Sequence, residues 1–159
     1  MRVIKSPETI SIFASPYTKV FLAGSIEMGL AEDWQERIPD LFTDRKNLIF
    51  FNPRRDDWDS SWVQSESNPQ FNNQVNWELD HLDKSDIIFM YFSPETKSPI
   101  SLLELGLYAG SKSKMIVCCP DGFWRKGNVE IVCSRYNIPL YNSLDAAIGR
   151  LRTEIKDTI

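Results

Sequence analysis

The chain has 159 residues, which suits one domain with its own hydrophobic core, and we expect a single domain over residues 1–159. Its hydrophobic content of 42% and charged content of 25% are typical of soluble globular proteins. The net charge is -4 and no basic block stands out, which argues against a nucleic-acid polymer or an anionic membrane as a partner. The three cysteines lack metal-ligand spacing, so we expect no metal site and a reducing, cytoplasmic location.

Strand-like and helix-like segments alternate along the chain. Continuous apolar runs predict five buried strands, at 19–25, 48–53, 86–92, 115–120 and 138–141. Helical spacing predicts helices between and after them, at 32–42, 73–85, from Ser98 or Ser101 onward, 126–137 and 143–155. The polar, tryptophan-rich segment 54–70 has no periodicity, and loops of this length are often functional lids or disordered.

Apolar strands separated by helices predict an α/β fold with a parallel sheet covered on both faces. We expect a doubly wound, five-stranded parallel sheet of flavodoxin-like (Rossmann-like) order 2-1-3-4-5, in a three-layer sandwich. The ligand crevice of such a sheet lies at the carboxyl ends of strands 1 and 3, which here are Gly24–Ser25 and residues 93–101. Glu104 lies just beyond, in the first turns of the helix that rises from this crevice.

Glu104 stands among four leucines, where an unpaired carboxylate is rare. Ser101 and Glu104 match a capping box, which would make the glutamate purely structural. Ser98–Pro99 offers another helix start, which would place Glu104 in the second turn and beyond capping reach. Gly106 costs the helix about 0.5–1 kcal/mol relative to alanine, which indicates a close approach to the backbone beside Glu104.

Five segments together carry a resemblance to a known family: "VFLAGSIE" (20–27), "NPRR" (52–55), "QVNWELDHLDKSDIIFMYF" (74–92), "SPISLLELGLYAGS" (98–111) and "GFWRKGNVEIVC" (122–133). In this order on an alternating α/β pattern, the chain resembles the nucleoside 2-deoxyribosyltransferase family, particularly its shorter bacterial and phage-type branch. The resemblance implies a double displacement at the sugar C1′, without a cofactor. Glu104 matches the nucleophile of the family's "ELG" motif, and a covalent ester would divide one hard displacement into two easier ones.

The resemblance also implies a second acidic residue, because the departing base needs a proton. Glu78 falls where the family carries such a residue, so we expect it to be catalytic with Glu104. The alternative is a solvated helix carboxylate, paired with Lys84 or His81. His81, the only histidine, is expected on the helix surface and is assigned no chemistry.

Substrate contacts are expected from four places in the chain. Gly24, Ser25, Ser98 and Ser101 would border the sugar, although each also suits a turn or a helix cap. The segment after the second strand would meet the base through Asn52, Arg55, Asp56, Asp57 and a stacked Trp58 or Trp62. The alternative for this segment is a flexible polar loop. Asn128 would reach an active site, either its own or that of a neighbouring subunit, or else simply start a helix.

Two other functions are compatible with the same sequence. Relatives of the family hydrolyse 2′-deoxynucleoside 5′-monophosphates, but Glu27 stands where those hydrolases tend to carry arginine, and its charge would repel a phosphate. A non-catalytic module that binds flavin or nucleotide is less favoured, because a carboxylate such as Glu104 does not suit a phosphate site. We therefore expect nucleosides and nucleobases as ligands, and a homo-oligomer, at least a dimer, with shared active sites.

Overall fold

The structure is a computed structural model that describes residues 1–10, 16–27 and 32–156. The strands over these residues are β1 (Arg2–Lys5), β2 (Thr18–Gly24), β3 (Leu48–Asn52), β4 (Ile87–Tyr91), β5 (Lys114–Cys118) and β6 (Leu140–Tyr141). The helices are α1 (Trp34–Asp40), α2 (Pro69–Lys84), α3 (Pro99–Tyr108), α4 (Lys126–Arg135) and α5 (Leu144–Lys156). Within the described ranges, no helix is long and apolar enough to cross a membrane.

The six strands form one sheet in the order β1-β3-β2-β4-β5-β6, and every neighbouring pair is parallel. Without β1, this is the predicted order 2-1-3-4-5, so the doubly wound α/β fold is confirmed. The strand count of five was wrong by one. β1 escaped prediction because it has only four residues, of which only Ile4 is buried.

Two apolar clusters lie on opposite faces of the sheet, because successive strand residues point to opposite faces. Phe21 and Met90 belong to the cluster that α2, α3 and α4 cover. Leu22 and Phe89 belong to the other cluster, which α1 and α5 cover. The predicted three-layer sandwich is therefore confirmed. Its central strands are buried on both sides, which explains why they appear in the sequence as continuous apolar runs.

Both helices that carry the predicted catalytic residues have well-defined starts. The Asn68 side chain accepts a hydrogen bond from the Phe71 N–H, and Pro69 begins α2 four residues before the predicted start. Ser98 is the N-cap of α3, with Pro99 in its first turn, so the capping-box interpretation of Glu104 is wrong. Glu104 lies in the second turn instead.

Two smaller expectations are corrected by the packing. A Cβ on Gly106 would meet no atom of the described chain within 4 Å, so no close approach within the chain explains that glycine. His81 is buried rather than on the surface: its ring stacks on Trp77, with centroids 3.9 Å apart, and meets the edge of Phe51.

Candidate active site

The carboxyl ends of β2 and β4 meet at Gly24. A Cβ on this residue would lie 2.1 Å from the Tyr91 carbonyl oxygen, and its φ of +132° is one that other residues rarely adopt. The next residue, Ser25, donates its backbone N–H to the same carbonyl, at 2.8 Å. Gly24 is thus required for the two strands to end side by side, which places Ser25 next to the end of β4.

Three buried hydroxyl groups join the two strand ends. The side-chain oxygens of Ser25, Thr96 and Ser98 lie 2.7 Å from one another in a closed ring. The Ser93 N–H donates to Ser25, and Thr96 donates to the Ser93 carbonyl. This ring of hydrogen bonds fixes the loop between β4 and α3. The hydroxyl groups of Ser25 and Ser98, both expected to contact the sugar, are therefore hydrogen-bonded to each other. Thr96 escaped prediction because no local pattern marks it.

Glu27 supplies the missing cap of α3. Ser98 has left-handed backbone angles and makes no side-chain cap of its own. One carboxylate oxygen of Glu27 instead accepts the backbone N–H groups of Lys97, at 2.8 Å, and Ser98, at 2.5 Å. A negative charge is stabilised at the amino end of a helix, where the backbone N–H groups point outward. This end of α3 is therefore already occupied by an anion from the chain itself.

Glu104 and Glu78 form an acidic pair on neighbouring helices. Glu104 is 8% exposed, and burial, with the charge of Glu78, raises its pKa to about 8. Glu78 is partly buried, and burial raises its pKa to about 7 against the opposing effect of a hydrogen bond from Gln74. The alternative of a solvated Glu78 is therefore wrong. Because like charges close together cannot both form easily, the pair retains a proton near neutral pH.

Gln74 joins Glu78 to two strand ends. Its amide nitrogen donates to a Glu78 carboxylate oxygen, at 2.7 Å, and to the Pro53 carbonyl, at 3.0 Å. Its amide oxygen accepts the hydroxyl of Ser6, at 2.5 Å. Gln74 was not among the predicted site residues, because its partners lie up to 68 positions away in the chain.

The segment after β3 is held by its own polar pairs. The Asn52 side chain accepts the N–H of Arg54. Arg55 binds both carboxylate oxygens of Asp57, at 2.8 and 2.7 Å, and this bond lowers the pKa of Asp57. Asp56 accepts a hydrogen bond from Lys5, at 2.5 Å. The polar groups expected to contact the base thus already have partners within the chain: Arg55 and Asp57 bind each other, and Asn52 and Asp56 bind residues outside the predicted set.

Two aromatic rings and a buried amide contact the arginines of the same segment. Trp58 meets Trp62 edge-on, with centroids 5.0 Å apart, and the Arg55 guanidinium lies over the Trp62 ring. Gln35 is fully buried on α1 and accepts a hydrogen bond from Arg54, at 2.7 Å. Its amide nitrogen has no hydrogen-bond partner within the described part of the chain. Neither Gln35 nor Arg54 was among the predicted site residues.

Asn128 does not share a cavity with Glu104 of its own chain. It lines an open cavity of about 300 Å³ between α3 and α4, with Gly106, Trp124 and Arg125 among the other lining residues. Glu104 does not line this cavity. The remaining predicted residue, Ser101, is buried on the inner face of α3, one turn before Glu104.

Comparison with known proteins agrees with the sequence resemblance. A family model described as nucleoside 2-deoxyribosyltransferase-like matches residues 17–123, about two thirds of the chain. The match runs from β2 through β5 and includes Glu27, Glu78 and Glu104. Among proteins of curated function, no match to the chain was found. The matched range holds both crevice strands and the acidic pair, and the chain belongs to the nucleoside 2-deoxyribosyltransferase-like family.

Proposed function

We propose that the protein transfers a 2-deoxyribosyl group from one nucleobase to another through a covalent ester on Glu104. The observation that carries the proposal is the acidic pair: two carboxyl groups with raised pKa values on neighbouring helices beside the crevice. Such a pair supplies both a nucleophile and a proton donor, which are the two groups that a double displacement requires.

Glu104 has the higher pKa of the two, so the first half-reaction requires the single proton of the pair to move to Glu78. An oxygen of the ionised Glu104 then forms a bond to C1′ of the sugar. The bond between C1′ and the base nitrogen breaks, and its electron pair leaves with the base. Glu78 gives its proton to that base, so the base departs neutral and Glu78 is left ionised. Charge thus moves from Glu104 to Glu78, and the total charge of the pair stays the same.

In the second half-reaction, a nitrogen of the incoming base forms a bond to C1′. Its proton passes to Glu78 while the ester bond between C1′ and Glu104 breaks, which restores the starting pair. Two displacements at one carbon give net retention of configuration. Glu78 acts as an acid in one direction and a base in the other, so a pKa near neutrality suits both tasks.

Glu27 favours nucleosides over nucleoside 5′-monophosphates as substrates. Its carboxylate occupies the N–H groups at the start of α3, a position that would otherwise attract a phosphate. A phosphate dianion placed there would lose those donors and meet a like charge. The runner-up function, hydrolysis of 2′-deoxynucleoside 5′-monophosphates, is less compatible with this arrangement.

The base would be recognised by the segment that follows β3. Asn52 and the paired Arg55 and Asp57 bring donors and acceptors to the crevice, and Trp58 offers an aromatic face. The pairing of Arg55 with Asp57 fixes these groups before the base binds, so less conformational entropy is lost on binding.

The active form would be a homo-oligomer, at least a dimer, that uses α3 as a contact surface. Ile100, Leu103 and Leu107 share one face of α3 and are 58–59% exposed. Adjoining apolar side chains exposed in this way suit an interface, and a second copy of the chain would bury them. Asn128, which lines a cavity without Glu104 in its own chain, would then contribute near Glu104 of the partner subunit.

Product analysis tests the proposed activity. The protein is incubated with one deoxynucleoside and a panel of free bases, and the products are separated by chromatography. New deoxynucleosides that carry the added bases support transfer. Free base and free deoxyribose alone, at rates equal with and without an added base, would indicate hydrolysis.

A further inference from the structure

Gln74 makes three hydrogen bonds, and each one goes to a different part of the fold. We propose that Gln74, held in place by Ser6, is a positioning residue that orients Glu78 and favours its ionised form. The inference rests on the proposed function, because it assigns Gln74 a role through the acid–base group of that reaction. It adds the amino-terminal segment to the active site, although this segment lies outside the range matched by the family.

The orientation of the Gln74 amide is determined by its partners. The Pro53 carbonyl can only accept a hydrogen bond, so the atom that faces it, at 3.0 Å, is the amide nitrogen. The second N–H of that nitrogen then points to the Glu78 carboxylate, at 2.7 Å. The amide oxygen is left for the hydroxyl of Ser6. Every donor of this buried side chain is used, so the N–H that reaches Glu78 has no alternative partner.

The strand β1 places Ser6 beside Pro53. β1 pairs with β3 in a register that sets Lys5 opposite Asn52, and the Ser6 N–H donates to the Asn52 carbonyl, at 3.1 Å. Three residues further along α2, the indole N–H of Trp77 donates to the Glu8 carbonyl, at 2.8 Å. Residues 2–8 therefore bind α2 at two successive points next to Glu78.

The hydrogen bond that Gln74 donates to Glu78 favours the ionised form of Glu78. An N–H donor stabilises a carboxylate more than a neutral carboxyl group, and it opposes the effect of burial on the pKa. The charged group that faces Glu78 from α3 is Glu104, which raises the cost of ionising both. Ser6 and Pro53, which meet Gln74 from β1 and β3, carry no charge. Without Gln74, Glu78 would hold its proton to a higher pH.

The test compares Gln74→Leu with the unmodified protein by two readouts. The first is the pH profile of transfer, whose alkaline limb reflects loss of the proton from the acid. The second is NMR titration of ¹³C-labelled glutamate side chains in a Glu104→Gln background, with Glu78→Gln used to assign the signal. We expect both the limb and the Glu78 titration to move up by about one pH unit, the usual effect of one strong hydrogen bond.

Two further variants keep the test decisive. Ser6→Ala leaves both Gln74 donors intact and should shift the profile in the same direction by less, and it serves if Gln74→Leu does not fold. In a Glu78→Gln background, Gln74→Leu should have no further effect on the transfer rate, because Gln74 acts through Glu78. A folded Gln74→Leu protein with an unshifted titration overturns the positioning role and leaves the proposed function intact. A fully active Glu78→Gln protein overturns both.

Discussion

Glu104 on α3 and Glu78 on α2 are coupled: the charge of Glu78 adds to burial in raising the pKa of Glu104. The proposed acid–base roles require such a relationship, which two independent carboxylates would lack. The relationship also links the two halves of the proposed reaction, because the proton that Glu78 gives away leaves a charge that opposes ionisation of Glu104.

Glu104→Gln should abolish transfer while the fold is kept. The amide has almost the same shape as the carboxylate, but it cannot form the ester, so kcat should fall by more than about 10³-fold. Glu78→Gln should lower kcat by about 10²–10⁴-fold, the usual contribution of a general acid. Glu130→Gln, an exposed substitution on α4, serves as the matched control. Rates are measured by chromatography of the exchanged bases. A Glu104→Gln protein with normal kcat would refute the assignment of Glu104 as the nucleophile.

The same two variants should be more stable than the unmodified protein at alkaline pH. The folded pKa of Glu104, about 8, lies above its ordinary value of 4.5. The stability from its neutral form is therefore fully present below about pH 4.5 and is lost as the pH rises through 8. Glu104→Gln removes this loss, and Tm at pH 9 should rise by about 2–4 °C for each kcal/mol recovered. The change in Tm is measured by thermal unfolding at pH 5 and pH 9. An equal gain in Tm at both pH values would contradict the titration of a buried Glu104 carboxyl group.

Glu27→Gln should shift the substrate preference towards 5′-monophosphates. The substitution keeps an oxygen that can accept the N–H groups of Lys97 and Ser98, but it removes the charge that repels phosphate. We expect the ratio of kcat/KM for deoxyadenosine monophosphate to that for deoxyadenosine to rise on the order of tenfold. Glu95→Gln removes an exposed charge from the same loop and should leave the ratio unchanged. An unmodified protein that already prefers the monophosphate would move the assignment to hydrolysis.

Leu103→Glu should weaken the proposed assembly. It places a charge in the middle of the exposed apolar face of α3, where a second copy of the chain would bury it at high cost. Light scattering should give a smaller mass for Leu103→Glu than for the unmodified protein. Leu41→Glu, an exposed position just after α1 on the other face of the sheet, should keep the mass. A fully active, monomeric unmodified protein would contradict the shared site.

The fold was predictable because its central strands are buried on both faces and appear as apolar runs. The position of Glu104 followed from Ser98–Pro99, a local signal for the start of a helix. The contacts that build the crevice carry no local signal. Ser25 meets Ser98 across 73 positions, Glu27 caps Ser98 across 71, and Ser6 meets Gln74 across 68. Such pairs depend on the order and register of the strands. Neither can be read from a local pattern in a single sequence, so these contacts become evident only once the fold is known.

Mass spectrometry of the protein after incubation with a 2′-fluoro-2′-deoxynucleoside tests the covalent ester most directly. The fluorine destabilises the oxocarbenium-like transition states, so the ester should accumulate when no second base is present. We expect a mass increase of one fluorinated sugar, located on the peptide that contains Glu104 and absent from Glu104→Gln. An added free base should remove the adduct. Active transfer of the unmodified sugar by a protein that never forms this adduct, or that forms it on another residue, would refute the ester on Glu104.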